Sequence, residues 1–300
     1  MRIFILLLIA MLPYIIPLRI CNVLTLNGGG AYGAVEIGIL KDLIENKNIP
    51  NKFDVITGIS VGGLNAAFLS YGDNLTNNIY QLEELYKNTK TKDIYYNNYH
   101  NILINWSLFN NKPLENTIKN NMKNRKHFLT SPITLIGATN LNTRRLDVFR
   151  YDKLSKDDQI DILMATTAIP ILFSPKKIKD DLYVDGGTIE NEIIYQVLDE
   201  YQADYYNFTF ISSTNRNNIR REIDTIFKYI KSVSSLLVNN YIYDLAKIRN
   251  NYFDCHRGKI NIYYPTDNEL LNYSYLDFNN GEKLIEIAKN SYEVETINFC

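Results

Sequence analysis

Two β-rich runs near the start of the chain each end in glycine and hand over to a helical pattern, and this repeated junction constrains the fold more than any other feature. The first, Asn22 to Leu26, leads into Gly28-Gly29-Gly30-Ala31-Tyr32-Gly33, after which Ile37, Leu40 and Ile44 recur at helical spacing up to Asn46. The second, Phe53 to Thr57, leads into Gly58-Ile59-Ser60-Val61-Gly62 and a small-residue helix from Val61 to about Tyr71. Strand, tight turn and helix, twice in succession, open an α/β sheet covered on both faces. Later runs extend it, with strands at Ile133 to Thr139, Arg145 to Phe149, Leu182 to Val184, Tyr205 to Ser212 and Ile260 to Tyr264. Helices are expected at Asp157 to Thr167, Ile219 to Asn250 and Gly281 to Tyr292. No linker, repeat or shift in composition divides the chain, and 300 residues at 46% apolar close a sizeable core.

The first glycine turn satisfies the G-x-G-x-x-G pattern of dinucleotide-binding folds. That reading also needs an acidic residue at the end of the second strand, but Asp54 stands at its beginning and Ser60 at its end. A phosphate loop is excluded because no Gly-Lys-Ser/Thr follows. Gly58 to Gly62 is a G-x-S-x-G elbow with a strand before it and a helix after it, the context that exposes a strained serine above a sheet. Gly58 and Gly62 permit close strand-helix approach, and the helix aims free N–H groups and its positive end at a developing oxyanion. A glycine turn on the adjoining strand presents further N–H groups, so the two motifs together describe a nucleophile and an oxyanion hole for acyl transfer.

A serine nucleophile needs a base. His100, His127 and His256 have no motif around them, whereas Val184-Asp185-Gly186-Gly187 puts a carboxylate at a strand end. Two arrangements stay open, a Ser60–Asp185 pair and a triad in the chain order Ser60, Asp185, His256. Against the triad, the glycine turn lies only about thirty residues before the serine, on the first strand. No His/Cys/Asp/Glu cluster has metal-ligand spacing, so neither metal nor cofactor is expected. With 32 basic and 33 acidic residues the net charge of -1 supplies no field for nucleic acid. Cys21, Cys255 and Cys300 form neither a disulfide framework nor a metal knuckle. Lys176-Lys177-Ile178-Lys179, balanced by Asp180 and Asp181, reads as an exposed basic loop, the alternative being a face toward an anionic membrane.

Behind Arg2, residues 3–18 form an unbroken apolar run, so residues 1–20 are expected to be a secretory signal or an N-terminal membrane anchor. The run is short of the roughly 20 residues of a span, and Pro13 and Pro17 interrupt its second half. No small-x-small site follows it, which leaves cleavage open, and a buried edge of the core is the rival reading. Sequons at Asn74, Asn105, Asn207 and Asn272 decide nothing in a chain this rich in asparagine.

Four blocks in order resemble the patatin-like phospholipases. They are the glycine turn with Gly33-Ala34-Val35-Glu36-Ile37-Gly38, the elbow Gly58 to Gly62, Ala165-Thr166-Thr167-Ala168-Ile169-Pro170 with Phe173-Ser174-Pro175, and Asp185-Gly186-Gly187. Ala138 to Thr143 adds a softer match. The likeness covers residues 22–191 best and thins afterwards to Asp277-Phe278 and the last helix. It implies a hydrolase domain over residues 21–300 with a patatin-type three-layer α/β/α fold around a central, mostly parallel sheet. It implies a lipid acyl hydrolase of phospholipase A type that uses a Ser-Asp dyad and an acyl-enzyme, needs no metal and meets its lipid or phospholipid substrate at a membrane surface. By position Ser60 is the nucleophile and Asp185 the base, Gly28, Gly29 and Gly30 line the oxyanion hole, and Gly33, Gly186 and Gly187 support them. The sequence departs from the family at Tyr32, where relatives carry Arg or Lys, and at Asn27, where many carry Asp. A catalytically silent lipid-binding protein is the non-enzyme alternative, with Tyr32 as its sign of decay. A dinucleotide-dependent oxidoreductase ranks last.

Overall fold

The structure, a computed structural model, describes residues 18–46, 48–72, 74–98, 106–190, 193–214 and 257–299. In chain order the elements are β1 (Ile20–Leu26), α1 (Gly33–Glu45), β2 (Val55–Ile59), α2 (Val61–Leu69), α3 (Leu75–Asn88), β3 (Tyr96–Asn97), β4 (Phe109–Asn110), α4 (Lys112–Met122), β5 (Ile133–Asn140), β6 (Arg145–Arg150), α5 (Lys156–Thr166), β7 (Lys176–Ile178), β8 (Asp181–Asp185), α6 (Ile194–Glu200), β9 (Tyr205–Ile211), β10 (Gly258–Pro265), α7 (Gly281–Asn290) and β11 (Tyr292–Phe299). Residues 1–17, His100, His256, Cys255, Cys300 and the helix expected over Ile219 to Asn250 lie outside the described residues.

The main sheet runs β11-β10-β9-β1-β2-β5-β8-β7, with β6 on β5. Its centre, from β10 to β5, is parallel, and antiparallel strands close both ends. The period-two side-chain alternation of β1 explains why it sits in the middle. Leu24 and Leu26 pack into the cluster with α1, α2, α3 and α7, while Cys21 and Val23 join Tyr206, Phe208 and α6 on the other face. A third cluster holds α4 and α5 against Ile136 of β5. The result is a three-layer α/β/α arrangement around a mostly parallel sheet.

Several elements differ from the sequence expectations. α3 and α4 were hidden in Asn- and Tyr-rich sequence, yet α3 carries Leu75, Ile79 and Leu82 on one stripe and is capped by the Asn74 side chain, which accepts from Asn77 N–H at 2.8 Å. The chain does not end on a helix, because after α7 it turns into β11, antiparallel to β10. The lysine cluster is no simple loop: Lys176–Ile178 pairs with β8, and Lys176 Nζ meets Asp161 Oδ1 at 2.5 Å. Among the described residues no helix is long and apolar enough to cross a membrane.

Candidate active site

Strand register brings Ser60 and Asp185 together. β2 pairs with β5 from Val55↔Ile133 to Ile59↔Gly137, and β8 pairs with β5 from Ala138↔Asp185 to Asn140↔Tyr183. Since β6 takes the opposite edge of β5 at Gly137 and Ala138, β2 and β8 share one edge and meet head-on. β2 arrives from below and ends at Ile59, and β8 arrives antiparallel from above and ends at Asp185. The turn residue after Ile59 is Ser60, so the serine hydroxyl and the Asp185 carboxylate face each other across the break. The Asp185 strand is therefore antiparallel to β5 and not one of the parallel strands at the centre of the sheet.

Ser60 sits at φ 56°, ψ −130°, a region costly for any residue with a Cβ, by roughly 1–3 kcal/mol. Two features hold it there. Its N–H donates to Thr166 Oγ1 at 2.8 Å, and that hydroxyl donates onward to the Gly137 carbonyl at 2.6 Å, tying elbow, α5 and β5 into one chain of bonds. A Cβ on Gly62 would lie 2.3 Å from the Asn27 carbonyl oxygen and one on Gly58 2.2 Å from that of Gly62, so the tight elbow admits only glycine at both places.

Asp185 is 1% exposed. Oδ1 accepts from Gly187 N–H at 2.9 Å, and Oδ2 is buried without a hydrogen-bond partner among the described residues. Burial pushes the carboxyl up to about 7, a rise that the nearby Ser60 hydroxyl and the Gly187 N–H offset only in part. A carboxylate poised near neutrality beside a hydroxyl is what a general base requires.

The glycine turn closes the other side of Ser60. Gly30 takes φ 58°, and a Cβ there would strike the Tyr275 carbonyl oxygen at 2.2 Å. Ala31 N–H donates to that carbonyl at 2.7 Å, while the N–H groups of Gly28, Gly29 and Gly30 have no acceptor among the described residues. Ser213, just past the end of β9, pins the turn from beneath: its N–H donates to Asn27 Oδ1 at 2.9 Å and its hydroxyl to the Gly28 carbonyl at 2.5 Å. Asn27 thus has a structural partner of its own. Tyr32 turns its phenol to the Leu270 and Tyr273 carbonyls, each at 2.8 Å, and so anchors the C-terminal segment without a charge.

An apolar cleft opens from Ser60 between α2, α3 and α4, with Leu64, Phe68, Leu82, Ile118 and Met122 in its walls and about 880 Å³ of atom-free space, the part open to solvent included. Phe278, of the Asp277-Phe278 pair, lines its mouth. Beneath the turn lies a second buried carboxyl. Glu36 Oε2 accepts from Asn65 Nδ2 at 2.8 Å, and Asn65 Oδ1 accepts from the Tyr86 hydroxyl at 2.7 Å. Complete burial raises the Glu36 carboxyl well above its usual range, outweighing the contacts with Asn65 and the Asn27 N–H that pull it down. His127 is not at the site. It bonds Ser70 Oγ at 3.0 Å and packs at a tilt against the Tyr71 ring, and burial holds its pKa down at about 4.

Sequence reasoning singled out Ser60, Asp185 and the glycines but gave no role to Thr166, Ser213, Tyr275 or Glu36. Thr166 and Glu36 lay inside quoted motifs; Ser213 and Tyr275 carried no signal. Among the described residues no group of His, Cys, Asp and Glu could hold a metal ion.

Residues 24–198 match the family model described as patatin-like phospholipase. The uncharacterized protein R571 of Acanthamoeba polyphaga mimivirus is 27% identical over 249 residues, covering 77% of this chain and 80% of that protein. The cGAMP-activated phospholipase of Escherichia coli (strain TW11681) is 31% identical over 197 residues, covering 58% of this chain and 54% of that enzyme, so the match spans about half of the enzyme's length. Among solved structures, VipD from Legionella pneumophila aligns with a TM-score of 0.39 at 14% identity, over 93% of this chain and 68% of that one.

Proposed function

The chain belongs to the patatin-like phospholipase family, and on that premise we propose that it is a lipid acyl hydrolase of the phospholipase A type, acting on fatty acyl esters without a metal. The observation that carries the reading is the meeting of a strained Ser60, whose hydroxyl acts on the Asp185 carboxyl, with a buried Asp185 whose Oδ2 has no other hydrogen-bond partner among the described residues. Ser60 Oγ attacks the ester carbonyl while Asp185 accepts its proton. The oxyanion is received by the N–H groups of Gly28, Gly29 and Gly30 and the start of α2, each good donor contributing roughly 3–4 kcal/mol. Collapse breaks the ester C–O bond, the alcohol leaves with the proton from Asp185, and the acyl group stays on Ser60. Water then attacks with Asp185 again accepting a proton, and the fatty acid leaves as the proton returns to Ser60.

Phospholipid as the substrate is supported by the name of the Escherichia coli relative and by the apolar cleft beside Ser60. The apolar run of residues 3–18, read as a signal or an anchor, would bring the chain to a membrane system; a cytosolic reporter after fusion to residues 1–18 would contradict that. The mechanism is tested with a fluorophosphonate probe, which should label Ser60, and with Ser60→Ala, which should abolish ester hydrolysis while the protein stays folded. His256→Ala should be nearly silent. A crippled His256→Ala on a short-chain ester would transfer the role of base to the histidine.

A further inference from the structure

The cleft beside Ser60 has two distinguishable ends. Its mouth carries Ser60, Ile169, Phe173 and Phe278. α3 ends at this level, because the Phe278 N–H donates to Thr91 Oγ1 at 3.1 Å just beyond it. Its far end is made by Phe68, Asn121 and Met122, at the last turns of α2 and α4. α3 therefore runs against α2, and its first turn lies at the far end, where Asn78 Nδ2 donates to the Leu69 and Tyr71 carbonyls at 3.1 and 2.6 Å.

That far end is closed. The Arg125 guanidinium lies 3.7 Å from the centre of the Phe68 ring. Its Nε donates to the Asn121 carbonyl at 3.2 Å, Nη1 to Asn78 Oδ1 at 3.4 Å and Nη2 to Gln81 Oε1, which ties α4 to α3 across the bottom of the three-helix slot. A hydrocarbon pushed past Phe68 would have to separate a cation from three acceptors and bury it against methylenes.

We infer that the cleft is an acyl-chain ruler, taking the fatty acyl chain of the substrate to about ten carbons and stopping it at the floor of Phe68 and Met122 backed by Arg125. The inference rests on the acyl-hydrolase reading of Ser60. Ser60 to Phe68 is eight residues along α2, and Leu114 to Met122, which line the facing wall, is eight along α4. At 1.5 Å per residue both give a depth of about 12 Å. An extended chain advances about 1.25 Å per carbon, the projection of a C–C bond of about 1.5 Å, so about ten carbons fill the slot. The walls over that depth are apolar, and Tyr86 and Asn65 are satisfied by one another. Medium-chain acyl esters are the class this selects.

The test is kcat/KM of the full-length protein on p-nitrophenyl esters from C4 to C16, each below its aggregation concentration. The rate should rise by about fourfold per added methylene up to roughly C10 and then flatten or fall. Phe68→Ala removes the floor and should move the break two or more carbons longer. Because that variant empties a buried site, Ile118→Phe is the second arm: position 118 is one helical turn above Met122, so a ring there should move the break to about C6. Displacement of a fluorescent fatty acid from Ser60→Ala by free acids of C6 to C16 reads the same break without turnover. A rise that continues to C16, or a break that neither variant moves, overturns the ruler. No turnover at any length, with a fatty-acid break still near C10, would instead remove the serine mechanism and leave the ruler in place.

Discussion

Asp185→Asn should separate catalysis from stability in opposite directions. In the folded protein the carboxyl sits at about 7 against an ordinary 3.8, chiefly because burial strips it of water. At about 1.4 kcal/mol per tenfold change in proton affinity, that difference amounts to about 4 kcal/mol. The sign follows from linkage: a carboxyl raised in the folded state contributes stability that is fully present below pH 3.8 and is lost as pH rises to 7. Above pH 7 the ionised Asp185 therefore destabilises the fold by about 4 kcal/mol, and at 1% exposure little of this is screened. The amide has nearly the same shape, keeps an oxygen for the Gly187 N–H and carries no charge, so the variant escapes the cost. At roughly 2 °C per kcal/mol for a chain of this size, Tm at pH 8 should rise by about 8 °C. Turnover should fall by several orders of magnitude, since an amide cannot accept the serine proton. Thermal melts of both proteins from pH 4 to pH 9 check this, and the gap should open between pH 4 and 7 and stay level above. A gap independent of pH, or a variant less stable at pH 8, would refute the account of Asp185 as a base stranded without water.

The same carboxyl sets the pH profile: kcat/KM on a soluble ester should fall about tenfold per pH unit below 7 and level off above it, as measured by initial rates. Thr166→Val leaves the Ser60 N–H and the Gly137 carbonyl unpaired in a buried place, so urea titration should show a loss of about 1–3 kcal/mol per orphaned group, with lowered turnover beside it. Glu36→Gln keeps the shape and an oxygen to accept from Asn65 Nδ2 and should change both Tm and turnover little, whereas Glu36→Ala, which drops the Asn65 contact, should lower both.

The parallel half of the fold was legible because its strands are buried on both faces and each hands over to a helix through glycine. Leu24, Leu26, Ile56 and Ile59 are core residues whichever neighbours they acquire, so the strands could be placed without the tertiary structure. β11 escaped notice for the opposite reason. It is an edge strand, and Glu293, Glu295, Thr296 and Asn298 break up the apolar density that marks a central strand. α3 and α4 were passed over because their helical stripes, Leu75-Ile79-Leu82 and Leu114-Ile118-Met122, are diluted by Asn, Lys and Tyr on the solvent side.

The site shows where local reading stops. Ser60 and Asp185 each stand in a short motif whose backbone geometry is set by neighbouring glycines, so their identities are local facts. That they meet is a fact of register: β8 must run antiparallel to β5 with Asp185 opposite Ala138, one step beyond the Gly137↔Ile59 pair. A slip of one residue would turn Asp185 to the other face of the sheet. What fixes the register is also distant, since Asp185 N–H donates to the Ala168 carbonyl at 2.9 Å and the Thr139 hydroxyl to that of Gly186 at 3.1 Å. These bonds come from the block Ala165 to Pro170 and from β5, so that segment seats the end of β8 through Ala168 while Thr167 and Ile169 line the cleft. Tyr32 fits the same logic. A cation in that place acts through charge, but this phenol donates to carbonyls at 270 and 273, and the neighbouring Ala31 N–H holds Tyr275. The turn that bears the proposed oxyanion donors is thus fastened to the segment whose Leu276 and Phe278 line the cleft, so an uncharged residue at position 32 holds the turn by hydrogen bonds instead of by charge.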